Sequence, residues 1–455
     1  MAEAGQAGSA PAGWERAERE ALEALQRLLR IDTTNPPGRE TAAAELCAQL
    51  LRAAGLEPRL IARVPERANV IARLAGDGTL PPLLLNAHLD VVPAEAESWT
   101  HPPFAGEIHG GWVWGRGSVD MKNMAALSIA VLAQLKREGV RLRRDVIFCG
   151  SADEEAGSRD GALWLVEKHP ELVRAEYGLG EVGGFSMHLG STTFYPVMVA
   201  QKGVCWFTLR AHGPTGHGSI PRRDGAVPKL ARAVERLGSA RLPAHVTPQL
   251  QAMVRAMAQG ARGPIKAVLP LLASELAAPR LLDALGDRGF TRSFGALLSN
   301  TASPTLLRAG TKANVHPSVA ECVVDGRMLP GQTREEFLRE VRAVVGEEVE
   351  LDVFQEQPSV VMPGDTPLFD EIAASIAELE PGAKVIPYLI PGYTDAWAFS
   401  KLGCVFYGFV PVRLPRDGPA FAELFHAHDE RIPVDGFLWG LRALHRVVKG
   451  FCQRG

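Results

Sequence analysis

Short apolar runs that stop at polar or charged residues alternate, up to about residue 198, with longer segments of helical composition. Leu83, Leu84 and Leu85 run into Asn86-Ala87-His88, and Val146, Ile147 and Phe148 run into Cys149-Gly150-Ser151. Continuous apolar stretches of this length suit strands buried on both faces. Glu15 to Arg30, Thr41 to Ala54 and Met121 to Arg137 read as helices, the last of them apolar and alanine-rich like a buried helix. Strands alternating with such helices predict an α/β domain with a mixed, mainly parallel sheet and helices on both faces.

From Lys202 the pattern changes. Gly203 to His212 reads as a strand, Thr215 to Pro221 as a glycine-rich loop, Val227 to Leu237 as a helix, Val319 to Arg327 as a strand of alternating character, Arg334 to Val345 as a helix and Val349 to Phe354 as a closing strand. Two strand-and-helix units predict an inserted α+β domain. The division is then 1–197 and 356–455 for the first domain and 198–355 for the insertion. The stretch from Ala244 to Ser303 is helical in content, and Ile265 to Leu285 is especially apolar; it reads either as a wall for an acyl chain or as helices that merely pack on the insertion.

Candidate chemistry sits where the apolar runs end, which is where open α/β sheets place their binding crevices. His88-Leu89-Asp90 follows one run, Glu154-Glu155 follows another, and Asp120 is reached through Gly115-Arg116-Gly117-Ser118-Val119. Zinc takes imidazole nitrogen and carboxylate oxygen, and two metals held roughly 3.5–4 Å apart need an anionic bridge with terminal ligands on each side. Asp120 suits the bridge. Of the adjacent glutamates, one can bind metal while the other faces the water to be activated. Asp90 could fix the tautomer and orientation of His88. Each motif alone has an ordinary explanation as a loop residue, a helix cap or a solvated pair, and only their order makes the set specific.

Composition adds exclusions. The 455 residues exceed one typical domain, and a net charge of −3 gives no electrostatic reason for nucleic acid or an anionic membrane surface. No apolar stretch approaches the roughly 20 residues of a membrane span, and Met1 to Gly13 lacks a signal-peptide core, so a cytoplasmic protein is expected. The six cysteines lack CxxC pairing and read as reduced thiols.

The three motifs His88-Leu89-Asp90, Gly115 to Lys122 and Asp153 to Ser158 resemble those of the dizinc peptidase family that includes aminoacylase, acetylornithine deacetylase, succinyl-diaminopimelate desuccinylase, glutamate carboxypeptidase and carnosinase. Leu28 to Gly38 resembles the family's opening helix and turn, Gly180-Glu181 stands where a further carboxylate ligand is placed, and Phe425 to Arg431 is similar to the last metal-binding segment. The Ala244 to Ser303 stretch is similar to the longer branch with Gly-X carboxypeptidases and N-acyl-amino-acid hydrolases. The resemblance implies a phosphorylase/hydrolase-like catalytic domain with a ferredoxin-like lid or dimerisation domain, and a homodimer.

Carried over residue by residue, it assigns one metal to His88, Asp120 and Glu181 and the other to Asp120, Glu155 and His426, with His428 as the fallback for His426. The cofactors implied are two divalent ions, zinc with cobalt or manganese as alternatives. Glu154 becomes general base and then acid. His217 resembles the lid histidine that stabilises the anionic intermediate, a contribution of about 2.7–4 kcal/mol for such donors. Asn314 and Arg327 match the pair that contacts the substrate carboxylate or scissile carbonyl, and Gly392-Tyr393-Thr394-Asp395 resembles a loop whose donors meet substrate. The expected activity is hydrolysis of an amide next to a free carboxylate, in an N-acyl-amino acid or a short peptide. Hydrolysis of a carbamoyl or ureido amino acid and a non-catalytic binding protein of the same fold are the alternatives.

Overall fold

The computed structural model describes residues 14–286 and 289–454; the amino-terminal segment read as small and polar lies outside the described residues. The chain divides into two compact units, one of Met1–Val197, Pro363–Ile386 and Ala398–Gly455, the other of Met198–Met362 and Pro387–Trp397. The second unit thus takes in Pro387–Trp397, which the sequence reading assigned to the first domain.

In the first unit, strands β1 (Arg59–Ala62), β2 (Ala68–Leu74), β3 (Leu83–His88), β4 (Val146–Ser151) and β5 (Tyr177–Gly180) belong to one sheet. Its order runs β1-β2-β4-β3-β5 and then the strand Val405–Gly408. β3 lies parallel to β4 and β5, Val405–Gly408 lies parallel to β5, and β1 and β2 join antiparallel at the edge. Every residue of β3 and β4 is buried, which is why these strands carry no polar alternation. Both parallel strands end together, His88 opposite Ser151, so their following loops leave the sheet side by side.

Helix α1 (Trp14–Leu29) buries Ala17, Ala21, Ala24, Leu25 and Leu28, one stripe at helical spacing. Helix α2 is Thr41–Ala53. Helix α3 (Lys122–Arg137) is buried all round from Lys122 to Leu135, and its alanines allow close approach to α1, β3 and the carboxy-terminal helix Val434–Arg454. Even Lys122 is fully buried, its ammonium donating to the carbonyls of Leu28 at 3.2 Å and Ile31 at 2.7 Å.

The second unit holds a four-stranded antiparallel sheet in the order Thr301–Ala309, Val319–Met328, Gly203–His212, Glu350–Gln357. Helices Ala226–Ser239 and Arg334–Val345 supply the crossovers, giving the ferredoxin-like β-α-β-β-α-β connection. Phe207, Leu209, Leu230, Leu237, Val324, Phe337 and Val341 form its core. Gly326 lets Cys205 and Phe337 close on the sheet, since a Cβ there would lie 2.1 Å from the Cys205 carbonyl oxygen. One expectation changes. The loop at 215–221 contains a two-residue strand, Gly216–His217, paired with Val315–His316. The apolar stretch 265–285 is broken into Ile265–Val268, a 3-10 turn at Leu269–Ala273 and Ala277–Leu285, because Pro270 and Ser274 interrupt it.

Candidate metal centre

The loops that leave β3, β4 and β5, the loop before α3 and the segment before the carboxy-terminal helix converge in the first unit. His88 is the last residue of β3 and Glu181 follows β5 directly. The two oxygens of Asp120 face opposite histidines: Oδ1 lies 3.0 Å from His88 Nε2 and Oδ2 lies 2.8 Å from His426 Nε2. Glu181 approaches His88 Nε2 to 3.4 Å, and Glu155 approaches His426 Nε2 to 3.3 Å. His88, Asp120 and Glu155 offer ligand atoms within 4.8 Å of one another, and so do His88, Glu154 and Glu181. Glu154 therefore belongs to the same cluster of atoms as the five residues expected to bind metal. His428 stays exposed, 3.9 Å from Glu95.

The electrostatics ask for cations. Asp120, Glu154 and Glu181 are buried, and an uncompensated buried carboxylate is costly. Burial opposes an imidazolium at His88, yet Glu181, Asp120 and Asp90 outweigh it and raise its pKa well above the usual value. Burial likewise opposes charge on His426, and its bonds to Asp120 and Glu155 push it up to about 10. For Asp120 the two histidines overcome burial and lower the pKa; for Glu155 burial and the Asp120 charge raise it. The raised imidazoles show that this donor set draws in positive charge. Two imidazoles and three carboxylates, one of them two-sided, with Glu154 beside them, fit a pair of divalent ions.

Around the cluster lies a layer of polar residues. Asp90 is fully buried; its Oδ1 accepts the Glu154 N–H and its Oδ2 the Glu155 N–H, each at 3.1 Å, and Oδ2 also accepts from the Asn35 amide at 2.8 Å. His88 Nδ1 faces the backbone carbonyl of Asp90 at 3.0 Å and the carboxylate only at 3.5 Å. The expected tautomer-fixing contact is therefore made chiefly by the main chain, while the carboxylate holds the glutamate turn. Asp153, which precedes that turn, is left-handed with φ 65°, and Arg67 bonds it at 2.7 Å while also pairing with Glu40.

Glu430 ties the two distant segments together. Its Oε1 accepts the backbone N–H groups of Gly117, Val119 and Asp120 at 3.1, 2.8 and 3.2 Å, and its Oε2 pairs with Arg116 at 2.7 Å. His426 and Asp429 flank this contact with φ 56° and 59°, left-handed conformations that cost non-glycine residues about 1–3 kcal/mol each. The sequence reading gave Asn35, Arg67, Arg116 and Glu430 no role and missed them as positioning groups. Asn35 and Arg116 lay within quoted motifs; for Arg67 no local signal exists, since its carboxylate partners lie 27 and 86 residues away.

The remaining predicted residues lie in the second unit. His217 is exposed, with Nδ1 2.7 Å from the Ser219 hydroxyl, and the Asn314 carbonyl accepts the Gly218 N–H at 2.8 Å, so these two residues lie at one short two-stranded ladder. Arg327 is elsewhere, on Val319–Met328, with Nε and Nη2 on the two oxygens of Asp325 at 2.6 and 3.0 Å. Thr394 is fully buried and donates its hydroxyl to Gln201 at 2.7 Å, beside Gly392, which is half-buried. No helix among the described residues is long and apolar enough to cross a membrane.

Comparison with known proteins identifies a family and a shared fold. The family model described as peptidase family M20/M25/M40 matches residues 84–450. The chain is 31% identical to the N-fatty-acyl-amino acid synthase/hydrolase PM20D1 of Xenopus tropicalis over 78% of this chain and 70% of that one. It is 28% identical to aminoacylase-1 of Mus musculus over 92% and 91%. Among solved structures, an M20 family metallo-carboxypeptidase, Sso-CP2 from Sulfolobus solfataricus, shares the fold with a TM-score of 0.71 at 17% identity, covering 95% of this chain and 99% of that one.

Proposed function

Because the chain belongs to peptidase family M20/M25/M40 and is a metallohydrolase, we propose that it hydrolyses an amide bond next to a free carboxylate, in N-acyl-amino acids or short peptides. The observation that carries this reading is the two-sided Asp120, whose oxygens each face a different imidazole. His88, Asp120 and Glu181 would hold one divalent ion, and Asp120, Glu155 and His426 the other, with zinc, cobalt and manganese all suited to these donors. Bound there, the ions would supply Lewis acidity towards a carbonyl oxygen and acidify water towards neutral pH.

The chain's own residues do the rest. Glu154 takes the proton of the attacking water and returns it to the leaving amine nitrogen, which keeps the proton count even as the C–N bond breaks. Its neighbour Glu155 stays committed to the cluster, and Asp90 fixes both through their backbone N–H groups. His217 would donate to the developing oxyanion, Asn314 to the carbonyl, and the Gly392 to Thr394 backbone to substrate. Arg327 would receive a carboxylate only by releasing Asp325. An acyl-amino acid fits better than a neutral amide, because its free carboxylate could take the place of Asp325 on the Arg327 fork.

Glu154→Gln tests the reading. With N-acetyl, long-chain N-acyl and dipeptide substrates, turnover should fall by at least about 10²-fold, the scale of a lost general base, while two metals per chain remain by elemental analysis. A Glu154→Gln variant that keeps substantial activity would refute the assignment.

A further inference from the structure

The two imidazoles of the cluster reach it by different means. The His88 side chain is 1% exposed, ends a central strand and has Nδ1 fixed by a main-chain carbonyl. The His426 side chain is 41% exposed, on a turn where its own residue and Asp429 are left-handed without being glycine. Its ring leans on Phe425, centroids 4.3 Å apart, and its carbonyl meets Arg116 only at 3.4 Å. Such a turn holds its shape only if the surroundings over-determine it.

Two contacts do so. Inside, Glu430 binds the loop that ends in Asp120. Outside, Asp429 reaches across 329 residues of sequence: its Oδ1 accepts the Thr100 N–H at 2.7 Å and its Oδ2 the Thr100 hydroxyl at 2.8 Å. Next to Thr100, Trp99 lies against the Arg116 guanidinium at 5.3 Å, so the outer and inner contacts clasp the same loop from two sides. The Asp429 carbonyl is held in turn by Arg431 at 2.8 Å, and Arg431 lies over Trp114 at 4.6 Å.

We infer that Asp429, through Thr100, is a positioning residue for His426: a latch at the surface whose closure one half of the metal pair depends on. The inference rests on the two-metal reading above. Opening the latch leaves His88, Asp120 and Glu181 untouched, because none of them touches the Asp429–Thr100 contact, and it frees the strained turn to relax with His426 turned away. The consequence is asymmetric: the ion held by His426 and Glu155 loosens and the other does not.

The experiment is a calorimetric titration of the metal-free full chain with zinc, comparing wild type, Asp429→Ala, Thr100→Val and Asp429→Asn, with melting curves of the metal-free proteins. Wild type should take up two equivalents. In Asp429→Ala the first should bind as in wild type and the second about 10-fold or more weaker, the scale of hydrogen bonds to a charged group. Thr100→Val, which removes only the hydroxyl, should lie between the two, and Asp429→Asn, which keeps one acceptor, should recover most of the affinity. All three variants' metal-free melting temperatures should stay near wild type, since Thr100 is exposed and Asp429 half-buried. An unchanged second equivalent overturns the latch, and so does equal weakening of both equivalents with a fallen melting temperature. If wild type binds two zinc ions and Asp429→Ala shows the asymmetry above, yet wild type cleaves no acylated amino acid or peptide, the latch stands and the proposed substrate fails.

Discussion

Asp90→Asn separates two jobs that a carboxylate beside a metal-site histidine can have. Asparagine keeps the shape of the side chain but presents one acceptor and one NH2 group in place of two acceptors. Since Oδ1 serves the Glu154 N–H and Oδ2 serves the Glu155 N–H, one of these buried donors must lose its partner whichever way the amide turns. A hydrogen bond to a charged group contributes about 1.5–3 kcal/mol. If that energy is what keeps the glutamate turn in its reactive geometry, a loss of the same size from the barrier is about 10- to 150-fold in kcat, at 1.36 kcal/mol per factor of ten. KM should change little, as no substrate contact is removed. Metal content should remain at two per chain, because His88 Nδ1 keeps the backbone carbonyl of residue 90 at 3.0 Å. Steady-state kinetics with elemental analysis decide it. Wild-type kcat would refute the role given to Asp90, and loss of metal with unchanged kcat per bound pair would return it to orienting His88.

Glu430→Ala should destabilise the protein by about 3–5 kcal/mol or more, the cost of a buried arginine left without its partner, because Arg116 is 3% exposed and three backbone donors lose their acceptor as well; the urea midpoint measures it, and a shift under about 1 kcal/mol would contradict the burial argument. Lys202 is fully buried, and burial lowers its pKa from 10.5 to about 7 while its ammonium donates to the Ser299 carbonyl at 2.7 Å. Between those two values the unfolded chain binds the proton that the folded chain has released, so stability should rise with pH across that window and the penalty should be complete below it. Chemical denaturation from pH 7 to 10 checks this, and Lys202→Met should flatten the slope; an equal slope in the variant rules the lysine out.

How far the site could be read before folding follows from where each signal resides. His88, Asp120, Glu154 and Glu155 follow apolar runs or a glycine-rich approach, and runs without polar alternation suit strands buried inside a parallel sheet, so the ends of β3 and β4 were legible in order, whereas Glu181 after β5 was reached only through the family resemblance. Arg327 and Thr394 were legible as residues but not as engaged ones: Asp325 occupies the first and Gln201 the second. A side chain's partner depends on neighbours that the local pattern does not name.

The linear chain determined the strand-and-helix alternation, an inserted α+β unit and the candidates His88, Asp90, Asp120, Glu154 and Glu155, because apolar spacing and donor chemistry are local properties, while the ferredoxin-like form, Glu181 and His426 were implied by the family resemblance. Only the tertiary structure decided which way each group points: the opposed oxygens of Asp120, the turn of Asp90 towards two backbone amides, the left-handed Asp153 and His426, and the bond of Glu430 to a loop more than 300 residues earlier. Those choices are made by long-range hydrogen bonds formed when distant loops share one buried space, where every donor and acceptor must find a partner.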